Sequence, residues 1–117
     1  MNVTKVYTTP QGHSDFEVID ELRVEAVPFG KDTILLSQPI KCETLMAYEF
    51  DESSFLDWHN PPQSGYMVML EGELEITVKN GKSKKFVAGD IFTTVDTTGS
   101  GHITKALKKG KALIIKL

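Results

Sequence analysis

The segment DWHNPPQSGYMVMLEGELEITV, residues 57–78, decides the fold. Its second half alternates, with Leu74, Ile76 and Val78 on one side of an extended chain and Glu73, Glu75 and Thr77 on the other. A period of two marks a strand with one face buried and one in water. Its first half sets His59 ahead of a Pro-Pro turn and a short apolar run of strand length at 66–70. Glu71-Gly72-Glu73 separates the two runs and predicts a break between two strands.

Immediately downstream, Lys79-Asn80-Gly81-Lys82 is the strongest local signal in the chain. Asn-Gly supplies two positive-φ residues for a tight hairpin, so 84–87 is predicted to pair back on 73–79. Further strands are predicted at 3–8, 22–27, 33–37, 43–50, 91–95, 102–107 and 112–117. Turns at Pro10-Gln11-Gly12, Pro28-Phe29-Gly30, Gly89-Asp90 and Lys109-Gly110-Lys111 separate them. The one helical candidate is 53–59, a single turn. β-Branched and aromatic residues fill the apolar runs, so a helical reading fails elsewhere. Many short strands in one chain predict an all-β sandwich or small barrel.

A chain of 117 residues suits one domain, 1–117, with a single core. Its 40% hydrophobic and 25% charged residues match ordinary globular proteins. No run approaches the roughly 18 apolar residues of a membrane span, so no membrane role is expected. The first residues lack the apolar core of a secretion signal, which leads us to expect a cytoplasmic location. The lone Cys42 fits a reducing compartment and reads as a small buried hydrophobe on an alternating strand. The net charge of −3 hides an asymmetry: residues 1–60 carry 4 basic and 11 acidic side chains, residues 61–117 carry 9 and 5. The second half holds no arginine, so Lys105, Lys108, Lys109, Lys111 and Lys116 read as a solvated face guarding strand edges. No nucleic-acid partner is expected.

Between residues 57 and 107 the chain resembles the cupin superfamily, in particular small single-domain RmlC-like cupins. The first cupin motif has its leading histidine where His59 stands and ends in the glycine matched by Gly72. The second opens on glycine, at Gly89-Asp90, and its histidine is approximated by His102. DTTGSGH, residues 96–102, matches in full a motif of a subgroup of short cupins with no settled reaction. Gly12-His13-Ser14-Asp15-Phe16 is loosely similar to a Gly-Ser-His-Phe stretch in that subgroup. The resemblance implies a double-stranded β-helix, or jelly-roll barrel, and a homodimer paired through its sheets. It also implies a site where three imidazoles and a carboxylate hold a divalent transition metal such as Fe, Mn, Ni or Zn.

Set residue by residue on this chain, that ligand pattern is incomplete. The second histidine position is Pro61 and the glutamate position is Gly65, neither with a ligand atom. His59 and His102 remain, with Gln63, Tyr66 and Glu71 as helpers. Two imidazoles fall short of the roughly three protein ligands of a catalytic metal. Three readings follow. The pair is a reduced metal site, as in a metal-dependent oxygenase, isomerase or lyase. The pair lines a barrel pocket for a small organic molecule, where imidazoles suit proton transfer near neutral pH. Or both are hydrogen-bonded residues at the barrel mouth of a non-catalytic sensor or assembly module. We adopt the second: a small-molecule-binding cupin with a degenerate metal site and catalysis left open. His59, His102 and Gln63 are its polar groups, Trp58 and Tyr66 shape the entrance, and Met67 and Met69 line the interior. His13 reads as a solvated loop histidine. The run from Thr93 to Gly101 reads as a hydrogen-bonded turn that fixes the strand carrying His102.

Overall fold

The computed structural model describes all residues, 1–117. Ten strands and no helix make up the chain. They are β1 (Val3–Thr8), β2 (Ser14–Ile19), β3 (Val24–Phe29), β4 (Asp32–Ser37), β5 (Thr44–Phe50), β6 (Phe55–His59), β7 (Gly65–Thr77), β8 (Ser83–Val87), β9 (Ile91–Thr94) and β10 (His102–Lys116). No helix is long and apolar enough to cross a membrane.

Two long strands organise the molecule. The expected breaks at 71–73 and 109–111 are bends inside β7 and β10, which run on as 13 and 15 residues. They cross where Gly72 meets Gly110. A side chain on Gly110 would collide with the Glu71 carbonyl, and Gly72, at φ 78°, lies equally close to the backbone of 108–110. Only glycine permits that approach. On one side of the bend, β7 and β10 join the layer β2-β1-β9-β7-β10-β5. On the other side, β8 pairs with β7 and β6 with β10. The two layers enclose the core, with Phe86, Leu74 and Ile76 against Phe92, Met69 and Val6. The alternation at 73–79 does what period two requires: Leu74, Ile76 and Val78 are buried and Glu73, Glu75 and Thr77 face outward, partly exposed.

The all-β class stands, whereas a closed barrel does not. No ladder joins β2 to β8 or β5 to β6, so the sheet is folded over with its rims open. Residues 55–59, read as part of a helical turn, form a strand because β10 offers a free edge to pair with. β2 goes unread in the sequence, yet Pro10-Gln11-Gly12 is a hairpin loop that returns 14–19 onto β1. At 78–82 only Gly81 has positive φ, at 86°. Gly81 N–H donates to the Val78 carbonyl and Val78 N–H to that of Lys82. This is the longer hairpin in which a left-handed glycine follows the turn, not a two-residue one. Cys42 is exposed, because it lies on the connection before β5 and not within the strand.

β3 and β4 stand apart, paired only with each other through the loop Gly30-Lys31. The radius of gyration is 15.4 Å, above the roughly 13 Å of a round domain this long. With extents of 51 × 34 × 24 Å, the hairpin is a projecting arm.

Candidate functional site

β6 ends on His59 and β10 begins on His102, and the two residues are cross-strand partners. Their ring centroids lie 4.5 Å apart at an interplanar angle of 64°. Gly101 makes this possible: at φ 70°, any side chain there would run into the His59 carbonyl. The glycine of the 96–102 motif thus brings the second imidazole against the first.

Each ring is fixed through Nδ1. His59 Nδ1 lies 2.7 Å from the Asp57 carbonyl, which can only accept, so Nδ1 carries the proton. His102 Nδ1 donates to Asp96 Oδ2 at 2.6 Å. Ser14 Oγ donates to the same oxygen at 2.6 Å. Ser14 and Asp96 are fully buried and His102 nearly so. Asp96 Oδ1 has no partner. The Asp96 carbonyl accepts from Asn60 Nδ2 at 2.9 Å, tying the 95–101 loop to the end of β6. In each neutral ring, Nε2 is therefore the free acceptor. Ser14 sits on the carboxylate, on the Nδ1 side of the imidazole, so this is not a hydrolytic triad with Ser14 as nucleophile.

Both imidazoles line a cavity of about 210 Å³. Tyr48, Tyr66, Met67, Phe92 and Ile114 give it an apolar wall, and Thr94, Thr104 and Lys116 add polar groups. Pro61 and Gly65, where the cupin pattern has its other ligands, line the same cavity. A Cβ on Gly65 would come within 2.7 Å of the Ile115 carbonyl, so this backbone leaves no room for a glutamate there. No group of three or more His, Cys, Asp or Glu side chains could hold a metal ion. The Lys116 ammonium donates to the Gln63 carbonyl at 3.2 Å. These residues do not by themselves make a resident metal centre. Hollows of about 270 Å³ beside the N-terminus and 590 Å³ beside Lys109 contain no imidazole.

The other candidates are dispersed. Tyr66 is buried and lines the cavity, and burial, with the Glu21 carboxylate second, pushes its phenol above the ordinary value. The Gln63 side chain donates to the Leu117 carbonyl and is absent from the cavity wall. Trp58 lies under Lys79, whose Nζ is 3.9 Å from the ring centroid, and does not line the cavity. Glu71 pairs with Lys111 at 3.6 Å on the surface. His13 lies in the β1–β2 loop, and Asp15 bonds to Phe16 N–H and Lys82, not to it. Met69 is buried in the core, and Met67 packs against it and reaches the cavity. Asp96 and Ser14 are the site residues that sequence reasoning missed. The visible signal was an aspartate six residues before His102, read only as a turn former.

No family model matches the chain, and no curated protein matches it. Among solved structures, it is similar to one assigned to ethanolamine utilization protein Q of Salmonella typhimurium, at 15% sequence identity and a TM-score of 0.47. The likeness covers 99% of this chain and 94% of that one. A likeness of this size assigns no activity to the chain.

Proposed function

We propose that this chain is a cupin-type small-molecule-binding protein whose ligand sits against His59 and His102. The observation that carries the reading is the convergence of two imidazoles, each locked at Nδ1 and free at Nε2, on one cavity. The cupin motifs at 59, 72, 89 and 96–102 agree with it, as does a two-layer fold with the pair between strands. A volume of about 210 Å³ is below the roughly 300 Å³ lower bound of drug-sized sites, so the ligand is small. Its body is apolar, and it carries a hydroxyl, enol or acid proton for an Nε2 acceptor. Asp96 fixes the tautomer of His102, the arrangement by which a histidine accepts a proton from a bound substrate. That capacity makes acid–base turnover the natural extension of binding.

Thermal unfolding against a panel of small hydroxy and keto acids, phenols and enols tests this. At a ligand concentration about 100 times its dissociation constant, the gain is about 2.7 kcal/mol, a rise in Tm of roughly 10 °C. His59→Ala/His102→Ala should abolish the rise. A panel that never shifts the wild type favours the sensor or assembly module. Near-stoichiometric Fe, Mn, Ni or Zn in purified protein, lost in the double variant, favours the metal enzyme, with the remaining ligands drawn from substrate.

A further inference from the structure

We infer that Lys116 sets the specificity of the imidazole cavity and selects a small monoanionic acid, holding its carboxylate while a hydroxyl or enol of the same molecule meets the histidine Nε2 atoms. The inference rests on the reading of this cavity as a ligand site and adds the charge of the ligand to it.

The lysines of β10 do not share one environment. Lys105, Lys108 and Lys111 are exposed, and Lys108 and Lys111 pair with Glu73 and Glu71 on the surface. Lys116, expected on the same solvated face, is half-buried and lines the cavity. Register explains the difference. From Ala112 onward β10 pairs with β7 without a shift, so Ala112, Ile114 and Lys116 point to one side. Ala112 belongs to the core and Ile114 lines the cavity, which makes that side the inner one. The inner face is laid out in rows. Ile114, Met67 and Phe92 are cross-strand partners and form an apolar row. The next row is Lys116, Gly65 and Thr94. A wall that is apolar in one row, and cationic and hydroxylic in the next, suits a molecule with an apolar body and a charged head.

Gly65 makes room for the lysine. Lys116 Cδ lies 3.2 Å from the point where a Cβ on Gly65 would stand, so a side chain there would contend with the lysine stem. With neutral imidazoles, the Lys116 ammonium is the only charge on the cavity wall, which holds no carboxylate. An ammonium has three donors. The Gln63 carbonyl takes one of them. The five ion pairs of the molecule all leave Lys116 out. A lone cation beside apolar walls concentrates small anions of opposite sign. One ammonium balances one negative charge. A carboxylate meets that condition, whereas a phosphate dianion leaves a charge uncompensated in a partly desolvated site. The two imidazoles carry their protons on Nδ1 and present acceptor Nε2 atoms, so they repel a carboxylate and receive a hydroxyl. The two ends of the acid are thereby told apart: the carboxylate lies at the Lys116–Thr94 row and the hydroxyl at the rings.

Isothermal titration calorimetry on the full chain tests this with α-hydroxy and α-keto acids bearing short branched alkyl tails, each compared with its own primary amide. The amide keeps the tail and the hydroxyl or keto group and loses the charge. The acid should bind the wild type about 10–100 times more tightly, the range of a hydrogen bond to a charged group. In Lys116→Met, which keeps the apolar bulk of the stem, that preference should vanish while the amide binds as before. A merely structural lysine would weaken acid and amide alike. Lys116→Arg keeps the charge and should keep the preference. Should Lys116→Met fail to fold, as circular dichroism will show, the wild type carries the test alone: added salt should weaken the acid more than the amide. Acid and amide bound equally by the wild type, or a preference undiminished in Lys116→Met, overturns the inference and leaves the ligand site standing. Inorganic phosphate bound more tightly than every acid overturns it too. Binding of neither member of any pair overturns this inference and the proposed function together.

Discussion

Asp96 shows how one buried side chain sets the chemistry of another. One of its oxygens accepts from Ser14 and His102, and the other accepts from nothing. Asp96→Ala would leave a hydroxyl and an imidazole N–H without acceptors in a buried site. We expect a loss of about 1–3 kcal/mol for each buried donor left unpaired, read from the urea midpoint. Asp96→Asn separates stability from function. An amide N–H can face Nδ1 and drive the proton to Nε2, so the cavity loses its acceptor while the shape survives. The ¹⁵N shifts of His102 should report the exchanged tautomer, and ligand-induced stabilisation should fall by far more than the urea midpoint. Tyr66 makes a second residue-scale prediction, at alkaline pH. Burial first, and Glu21 second, hold its phenol above the ordinary value near 10. A pKa raised by folding adds stability that is complete below the unfolded value and lost as pH rises through the folded one. Wild type should therefore lose stability above about pH 10 more steeply than Tyr66→Phe, as urea midpoints across that range will show.

Elements place these residues, and much of their placement could be read from the sequence. The 73–79 alternation and the hairpin after it needed no tertiary information, because half-burial and turn chemistry are local. The strands at 3–8, 32–37, 44–50 and 91–94 were legible for the same reason. β6 was not, because FLDWH becomes a strand only by pairing with β10, which follows it by more than forty residues. The bends at Gly72 and Gly110 look like chain breaks in sequence, since glycine marks a turn and a close backbone crossing alike. The imidazole pair was legible as two residues of a motif. That Pro61 and Gly65 carry no side-chain ligand atom was legible too, and both line the cavity. The Ser14–Asp96–His102 chain was not, because 82 residues separate Ser14 from Asp96 and only the β1–β2 hairpin brings them together. The junction of β6 and β10 carries its own prediction. Gly101→Ala sets a Cβ against the His59 carbonyl at a positive φ. The backbone strain alone costs about 1–3 kcal/mol, and relief by separating the strands would move His102 from His59. A lowered Tm together with lost ligand response is the expected result, whereas Gly81→Ala, in an open hairpin loop, should cost only strain and leave the response intact.

At the scale of the whole molecule, stability is unevenly distributed. β7 and β10 pair along most of their length, join both layers and carry half of the buried core side chains between them. Truncating the core opposite them, as in Phe92→Ala, removes a ring stacked 4.2 Å from Phe86 and should cost about 3–5 kcal/mol. The arm has no such support within one chain, and its free energy of opening must be far below that of the body. Amide hydrogen exchange reads both quantities at once, because protected amides open either locally or with the whole fold. Amides of 24–37 should exchange within the first time points, while those of 66–69 and 112–115 exchange only through global unfolding. Arm amides as slow as those of β7 and β10 would mean that the hairpin is held by more than its own two strands.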